Sequence, residues 1–221
     1  MADKTEIVFV LDRSGSMGCR VDDVLRGFND FIDEQKTVKG EANFTFVQFD
    51  TSYEIVHNGV DINDVPNLTR KTYVTGGMTA LLDATGRAIG ETERRLIALD
   101  RDDRPDKVVV VIMTDGHENS SKEVNRKELI KLIKRVETEE DWGIIYLGAD
   151  QDAIEAGASI GVSAANSASY AGSSTSNSLN MMSAKVGIYR GASVGDKSAL
   201  SYSAEDRSIL MEEDGKSDSY E

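Results

Sequence analysis

Apolar positions along this chain follow two periods. Three short runs are continuously apolar and rich in β-branched residues, Ile7 to Leu11, Val108 to Met113 and Ile144 to Leu147, which is the pattern of parallel strands buried on both faces. Phe44 to Phe49 reads as a fourth strand. Tyr53 to Val60 is more polar, carries Asn58 and Gly59 at its far end, and reads as an edge strand paired antiparallel to the fourth. Helical spacing fills the intervals: Val24, Leu25, Phe28, Phe31 and Ile32 form one stripe, Leu82, Thr85, Ile89, Thr92, Leu96 and Leu99 a weaker second, and Leu129, Leu132, Ile133 and Val136 a third. Strand, helix, two strands, helix, strand, helix, strand predicts an α/β fold, an open sheet covered by helices on both faces. Ligands in such sheets collect at the carboxyl ends of the strands.

Beyond Leu147 the periods weaken. Asp150 to Ile160 is expected to form a short helix, and the Ser, Ala and Asn-rich stretch 163–178 a loop. Leu179, Met182, Val186 and Tyr189 then return to helical spacing, with Lys185 and Arg190 near the negative end of the helix dipole, so a C-terminal helix is expected over 179–190. From Gly191 the chain is polar and acidic, and 191–221 is expected to be a disordered tail. The domain prediction is thus one unit, 1–190, followed by that tail.

Composition removes several function classes. The 25 Lys and Arg against 39 Asp and Glu leave a formal charge of −14, which repels nucleic acid and anionic membranes. Cys19 is the lone cysteine, so neither an internal disulfide nor a Cys-rich zinc site can be built, and His57 and His117 do not supply one. The first apolar run, Ile7 to Leu11, is too short for a membrane span or the core of a signal peptide. The expectation is a soluble cytoplasmic protein.

The chemistry-bearing residues lie where strands end. Asp12-Arg13-Ser14-Gly15-Ser16 follows the first run and Thr114-Asp115-Gly116 follows Val108 to Met113, so both turns emerge on one edge of a parallel sheet. Two carboxylates brought together there repel each other unless a cation sits between them. The donors are carboxylates and hydroxyls without thiolate or imidazole, which selects hard cations: Mg²⁺ first, with Mn²⁺ or Ca²⁺ as alternatives. Gly15 lets Ser14 and Ser16 turn toward one point. A third segment, Gly76-Gly77-Met78-Thr79, precedes the second helical stripe. Thr79 there has two readings, helix N-cap or third hydroxyl donor.

In this order and context the three motifs resemble the metal-ion-dependent adhesion site of von Willebrand factor A domains. Asp12, Ser14 and Ser16, Thr79, and Asp115 match the family's five metal positions, and the resemblance covers roughly residues 5 to 160. It implies a Rossmann-like, mainly parallel twisted sheet with one antiparallel edge strand. It further implies that the hydroxyls touch the metal, that the two Asp act directly or through water, and that an Asp or Glu of a partner protein completes the shell.

Arg13, Gly77, Met78, His117 and Glu118 flank these motifs and are expected on the partner-binding rim. Asn119, Ser120 or Ser121 is expected to cap a helix starting near Glu123, and Cys19 to be a small apolar residue at a helix start. The leading function is therefore a cation-dependent protein-binding module. A metal-dependent phosphohydrolase is disfavoured. An Asp nucleophile at the first strand tip needs a second acid two residues on, where Ser14 stands, and neither a phosphate-binding Gly-rich loop nor a Ser-His-Asp order is present. A structural or assembly subunit of a phage or bacterial stress system is the remaining alternative.

Overall fold

The computed structural model describes residues 4–149 and 152–212. Six strands, β1 (Lys4–Asp12), β2 (Glu41–Phe49), β3 (Tyr53–Asp61), β4 (Lys107–Thr114), β5 (Gly143–Ala149) and β6 (Ser167–Tyr170), form one sheet in the order β3-β2-β1-β4-β5-β6. Every neighbouring pair is parallel except β2 with β3, the antiparallel edge. Around the sheet lie α1 (Val21–Thr37), α2 (Leu81–Ile97), α3 (Arg126–Glu139), α4 (Ala153–Ile160), α5 (Thr175–Gly191) and α6 (Ala204–Met211).

Side chains alternate across a strand, so the continuous apolar run of β1 feeds two cores. Ile7, Phe9 and Leu11 join Phe28 and Phe31 of α1, Leu179 and Met182 of α5, and Leu210 of α6. Val8 and Val10 join Ile89 of α2, Leu129 and Ile133 of α3, and Ile160 of α4. Phe9 meets Phe28 and Phe31 edge-on, each with ring centroids 5.4 Å apart. Glu6, fully buried on β1, accepts from Arg95 Nη2 at 2.5 Å and from Thr45 Oγ1 at 2.7 Å. That pairing is what makes a carboxylate tolerable inside the sheet.

The structure corrects the sequence reading beyond β5. The stretch 163–178 is not a loop: it contains β6 and the first turn of α5, which begins at Thr175 rather than Leu179. Its apolar period is faint because α5 packs through small polar residues. Ser176, Ser178 and Ser183 are buried, and a Cβ added to Gly27 of α1 would stand 2.7 Å from Leu179 Cδ1 and 3.0 Å from the Ser176 Cα. Gln35 Nε2 completes this seam by donating to the Ser183 carbonyl and hydroxyl, each at 2.9 Å.

The expected disorder of 191–221 is overturned for its first two thirds. Leu200, Tyr202 and Leu210 are buried, the Ala171 amide donates to the Leu210 carbonyl at 2.9 Å, and Arg207 Nη1 donates to the Ser167 carbonyl at 2.8 Å. A few buried side chains hold a segment whose average composition is that of a solvated tail. Residues 213–221 lie outside the described residues, as does Asp150, the first residue of the expected Asp150–Ile160 helix. Among the described residues no helix is long and apolar enough to cross a membrane.

Candidate metal centre

The parallel register sets Leu11 of β1 beside Met113 of β4, so the chain leaves both strands side by side at the carboxyl edge. Asp12, the last residue of β1, is fully buried there. Its Oδ1 accepts from the Ser14 amide at 2.6 Å, its Oδ2 from Thr114 Oγ1 at 2.6 Å, and its carbonyl from the Tyr73 hydroxyl at 2.7 Å. The turn after β1 then brings Ser14 Oγ to 3.2 Å from Ser16 Oγ, and Ser16 Oγ donates to Asp115 Oδ1 at 2.5 Å.

Thr79 arrives from the loop before α2. A Cβ added to Gly116 would stand 2.8 Å from Thr79 Oγ1 and 3.7 Å from Ser16 Oγ, so the three segments meet around a glycine whose missing side chain leaves the space open. Backbone hydrogen bonds sew the loops together: the Gly15 amide to the Gly77 carbonyl at 3.2 Å, the Gly76 amide to the Arg13 carbonyl at 2.9 Å, and the Asn119 amide to the Thr79 carbonyl at 3.0 Å. Thr79 is not the helix cap. The N-cap of α2 is Ala80, which makes no side-chain hydrogen bond, and Glu118 Oε2 and Ser121 Oγ accept from the Leu82 and Asp83 amides instead.

Other rim expectations change in the same way. Arg13, expected on the rim, is turned onto acidic neighbours: its Nε meets Asp50 Oδ2 at 3.2 Å and its Nη1 meets Glu54 Oε2 at 2.5 Å, tying the site to the β2–β3 turn. Glu118 is held by the Leu82, Ser120 and Ser121 amides and the Ser121 hydroxyl, so it is a loop brace. Gly77, at φ +71°, Met78 and His117 are exposed. Asn119 receives the Thr79 amide rather than capping a helix, and Asn125 caps α3 with Glu128 in a reciprocal box. Cys19 is exposed in the 3₁₀ turn Gly15–Arg20, with its thiol donating to the Ser16 carbonyl at 3.4 Å, rather than packed as an apolar residue.

Sequence reasoning missed Arg20. Its Nη1 donates to Asp115 Oδ2 at 2.7 Å, and the Asp115 side chain is 1% exposed. The available cue was Arg20's place one turn after Ser16, on the same short helical segment.

Burial pushes the Asp12 carboxyl up to about 6, against the hydrogen bonds from Thr114 and Ser14, with repulsion from Asp115 adding to the rise. A cation and a proton compete for the same oxygens. Cation affinity is therefore expected to be level near neutral pH and to fall about tenfold per pH unit below about 6, readable by calorimetric titration across pH 5 to 8. Affinity independent of pH over that interval would remove Asp12 from the ligand set.

The candidate donors are two carboxylates and three hydroxyls, the set that suits a hard divalent cation, with Arg20 already paired to one of the carboxylates. Among the described residues no three Asp, Glu, His or Cys side chains come together as a metal site, so a cation here depends on the hydroxyls.

Fold and site together define an open α/β domain with an oxygen-lined notch at the carboxyl edge of its sheet. The chain belongs to the von Willebrand factor type A domain family, whose model matches residues 6–185. No curated protein matches the sequence. Among solved structures, proximal thread matrix protein 1 from the mussel byssus, with a zinc-occupied adhesion-site motif, shares 20% identity at TM-score 0.58, over 86% of this chain and 46% of its own. The pilus adhesin SpaC from Lactobacillus rhamnosus GG in its open conformation shares 14% at TM-score 0.59, over 85% and 30%. A von Willebrand factor type A protein from Catenulispora acidiphila shares 16% at TM-score 0.51, over 83% and 42%. The chain thus spans less than half the length of these structures, and at such identities the likeness is one of fold.

Proposed function

We propose that this domain is a divalent-cation-dependent protein-binding module. Asp12, Ser14, Ser16, Thr79 and Asp115 hold the cation, Mg²⁺ in preference to Mn²⁺ or Ca²⁺, and an Asp or Glu of a partner protein supplies a further oxygen. The observation that carries this reading is the convergence of three separate loops at Gly116, with the Ser14 and Ser16 hydroxyls in contact and Ser16 bonded to the Asp115 carboxylate. The cation supplies Lewis acidity toward the incoming carboxylate. The chain's own residues hold the oxygens in place, through Thr114 and the Ser14 amide on Asp12 and through Arg20 on Asp115.

Exposed apolar side chains on the loop that delivers Thr79 favour a protein ligand. Val74 is 63% exposed and Met78 53% exposed, next to the site and not in the core. A phosphohydrolase reading lacks its general acid, since Ser14 stands where one is needed.

The test is a titration of thermal stability after EDTA treatment with Mg²⁺, Mn²⁺, Ca²⁺ and Zn²⁺ separately. At about 100 times the dissociation constant a cation contributes about 2.7 kcal/mol, which raises the melting temperature of a domain this size by roughly 5 to 10 °C. Absence of any rise with all four cations would overturn the reading.

A further inference from the structure

Next to the notch, between the β4–α3 loop and α4, lies a cavity of about 80 Å³. Its floor is apolar, from Leu81, Tyr146, Ala156 and Ile160, and Gly116 forms part of its wall. Gly116 is also the residue against which Thr79 Oγ1 and Ser16 Oγ are packed, so the cavity and the cation notch share a boundary that has no side chain.

We infer that this cavity is a selectivity pocket that takes a small branched aliphatic group carried within a few bonds of the coordinating carboxylate. The inference rests on the cation reading above and adds the chemistry of the ligand's neighbouring group. Size sets one limit: the volume is about half that of a 150 Å³ protein cavity that accommodates benzene, which corresponds to three or four carbons. Charge sets the other. Glu118 and Arg126 on the wall are of opposite sign, and His117 stands beside them. Glu118 accepts from the Leu82, Ser120 and Ser121 amides and from the Ser121 hydroxyl, and Arg126 Nη1 donates to Ser159 Oγ. The floor itself offers no charge, so an aliphatic occupant loses apolar surface to the floor residues, whereas a charged one would give up its water against them.

Free carboxylic acids serve as probes. Acetate and isovalerate are titrated into the EDTA-treated, Mg²⁺-reloaded protein and followed by amide chemical shifts, with isoamyl alcohol as a control lacking the carboxylate. Isovalerate is expected to bind at least tenfold more tightly than acetate, to require Mg²⁺, and to shift the Ala156 and Ile160 amides. Ala156→Leu, which fills the cavity from a half-buried position on α4, is expected to bring the two acids within twofold of each other while keeping the Mg²⁺-dependent rise in melting temperature. Ala156→Val repeats the test with a smaller change. Cation stabilisation with equal affinities for the two acids, or a preference that survives both substitutions, overturns the pocket alone. Failure of every cation to stabilise the protein removes the cation reading and the pocket with it.

Discussion

In EDTA at pH 7, Asp12→Asn is expected to melt above the parent and to gain nothing from Mg²⁺. Asp12 is fully buried, and burial lifts its carboxyl from 3.8 to about 6. A folded-state value raised above the unfolded one means that the protonated form is the stabilising form. For this group, stability of the cation-free protein is complete below about 4 and declines as pH rises through about 6. At pH 7 the loss is on the order of 3 kcal/mol.

Asparagine carries no charge and so avoids that loss. Its Oδ1 still accepts from the Ser14 amide, and its amide group faces Thr114 Oγ1, which turns its own hydrogen toward the Gly116 carbonyl 3.2 Å away. Imperfect replacement of these bonds reduces the gain to about 1 to 2 kcal/mol, or roughly 3 to 6 °C. The same substitution removes one of the two carboxylates from the set and is expected to weaken Mg²⁺ at least about 100-fold, so the order of melting temperatures reverses in Mg²⁺. Scanning calorimetry of both proteins with and without the cation reads all four values. A lower melting point for Asp12→Asn in EDTA would show that the ionised carboxylate stabilises the empty site.

Gly27→Val is expected to destabilise the domain by about 3 kcal/mol. The first carbon of the new side chain would stand 2.7 Å from Leu179 Cδ1, 2.8 Å from Leu179 Cβ and 3.0 Å from the Ser176 Cα, and the last of these belongs to the backbone. Neither helix can yield cheaply, because Gln35 and Arg190 pin their far ends, Arg190 Nη1 donating to the Gln35 carbonyl at 2.6 Å. Urea denaturation gives the loss, and amide exchange between Leu179 and Val186 is expected to accelerate more than in α3. Gly90→Ala on α2 is the control: nothing lies within 4 Å of the added carbon, so it is expected to be neutral or to stabilise by up to about 1 kcal/mol. A loss under 1 kcal/mol for Gly27→Val would mean that α5 slides without cost.

Prediction from sequence succeeded where one local property decides the outcome. β1, β4 and β5 are buried on both faces, so a continuous apolar run is their signature, and β2 and the antiparallel β3 follow from the strand patterns beside them. α1, α2 and α3 bury one stripe of large apolar residues each, and helical spacing exposes that stripe. That Asp12, Ser14, Ser16, Thr79 and Asp115 share one edge was legible because the turn after a parallel strand has a known edge, and their three motifs occur in the family's order.

The failures share a different cause, a partner distant in sequence. β6 and the start of α5 are mostly Ser, Ala and Thr, packed against glycines of neighbouring helices. Small buried residues leave no hydrophobic period. Leu200, Tyr202 and Leu210 are isolated apolar residues in an acidic segment, and only the groove they enter makes them core. Arg13, Glu118 and Arg20 flank the motifs in sequence, yet Asp50, Glu54, the α2 amides and Asp115 decide what they do. The sequence by itself therefore determined the family and the sheet through β5 and picked out the five candidate oxygens, since each rests on periodicity, on motif order or on adjacency to a strand end. Tertiary structure alone decided how the C-terminal third packs and which charges around the site are already neutralised, because close backbone approach and long-range ion pairs leave no local pattern.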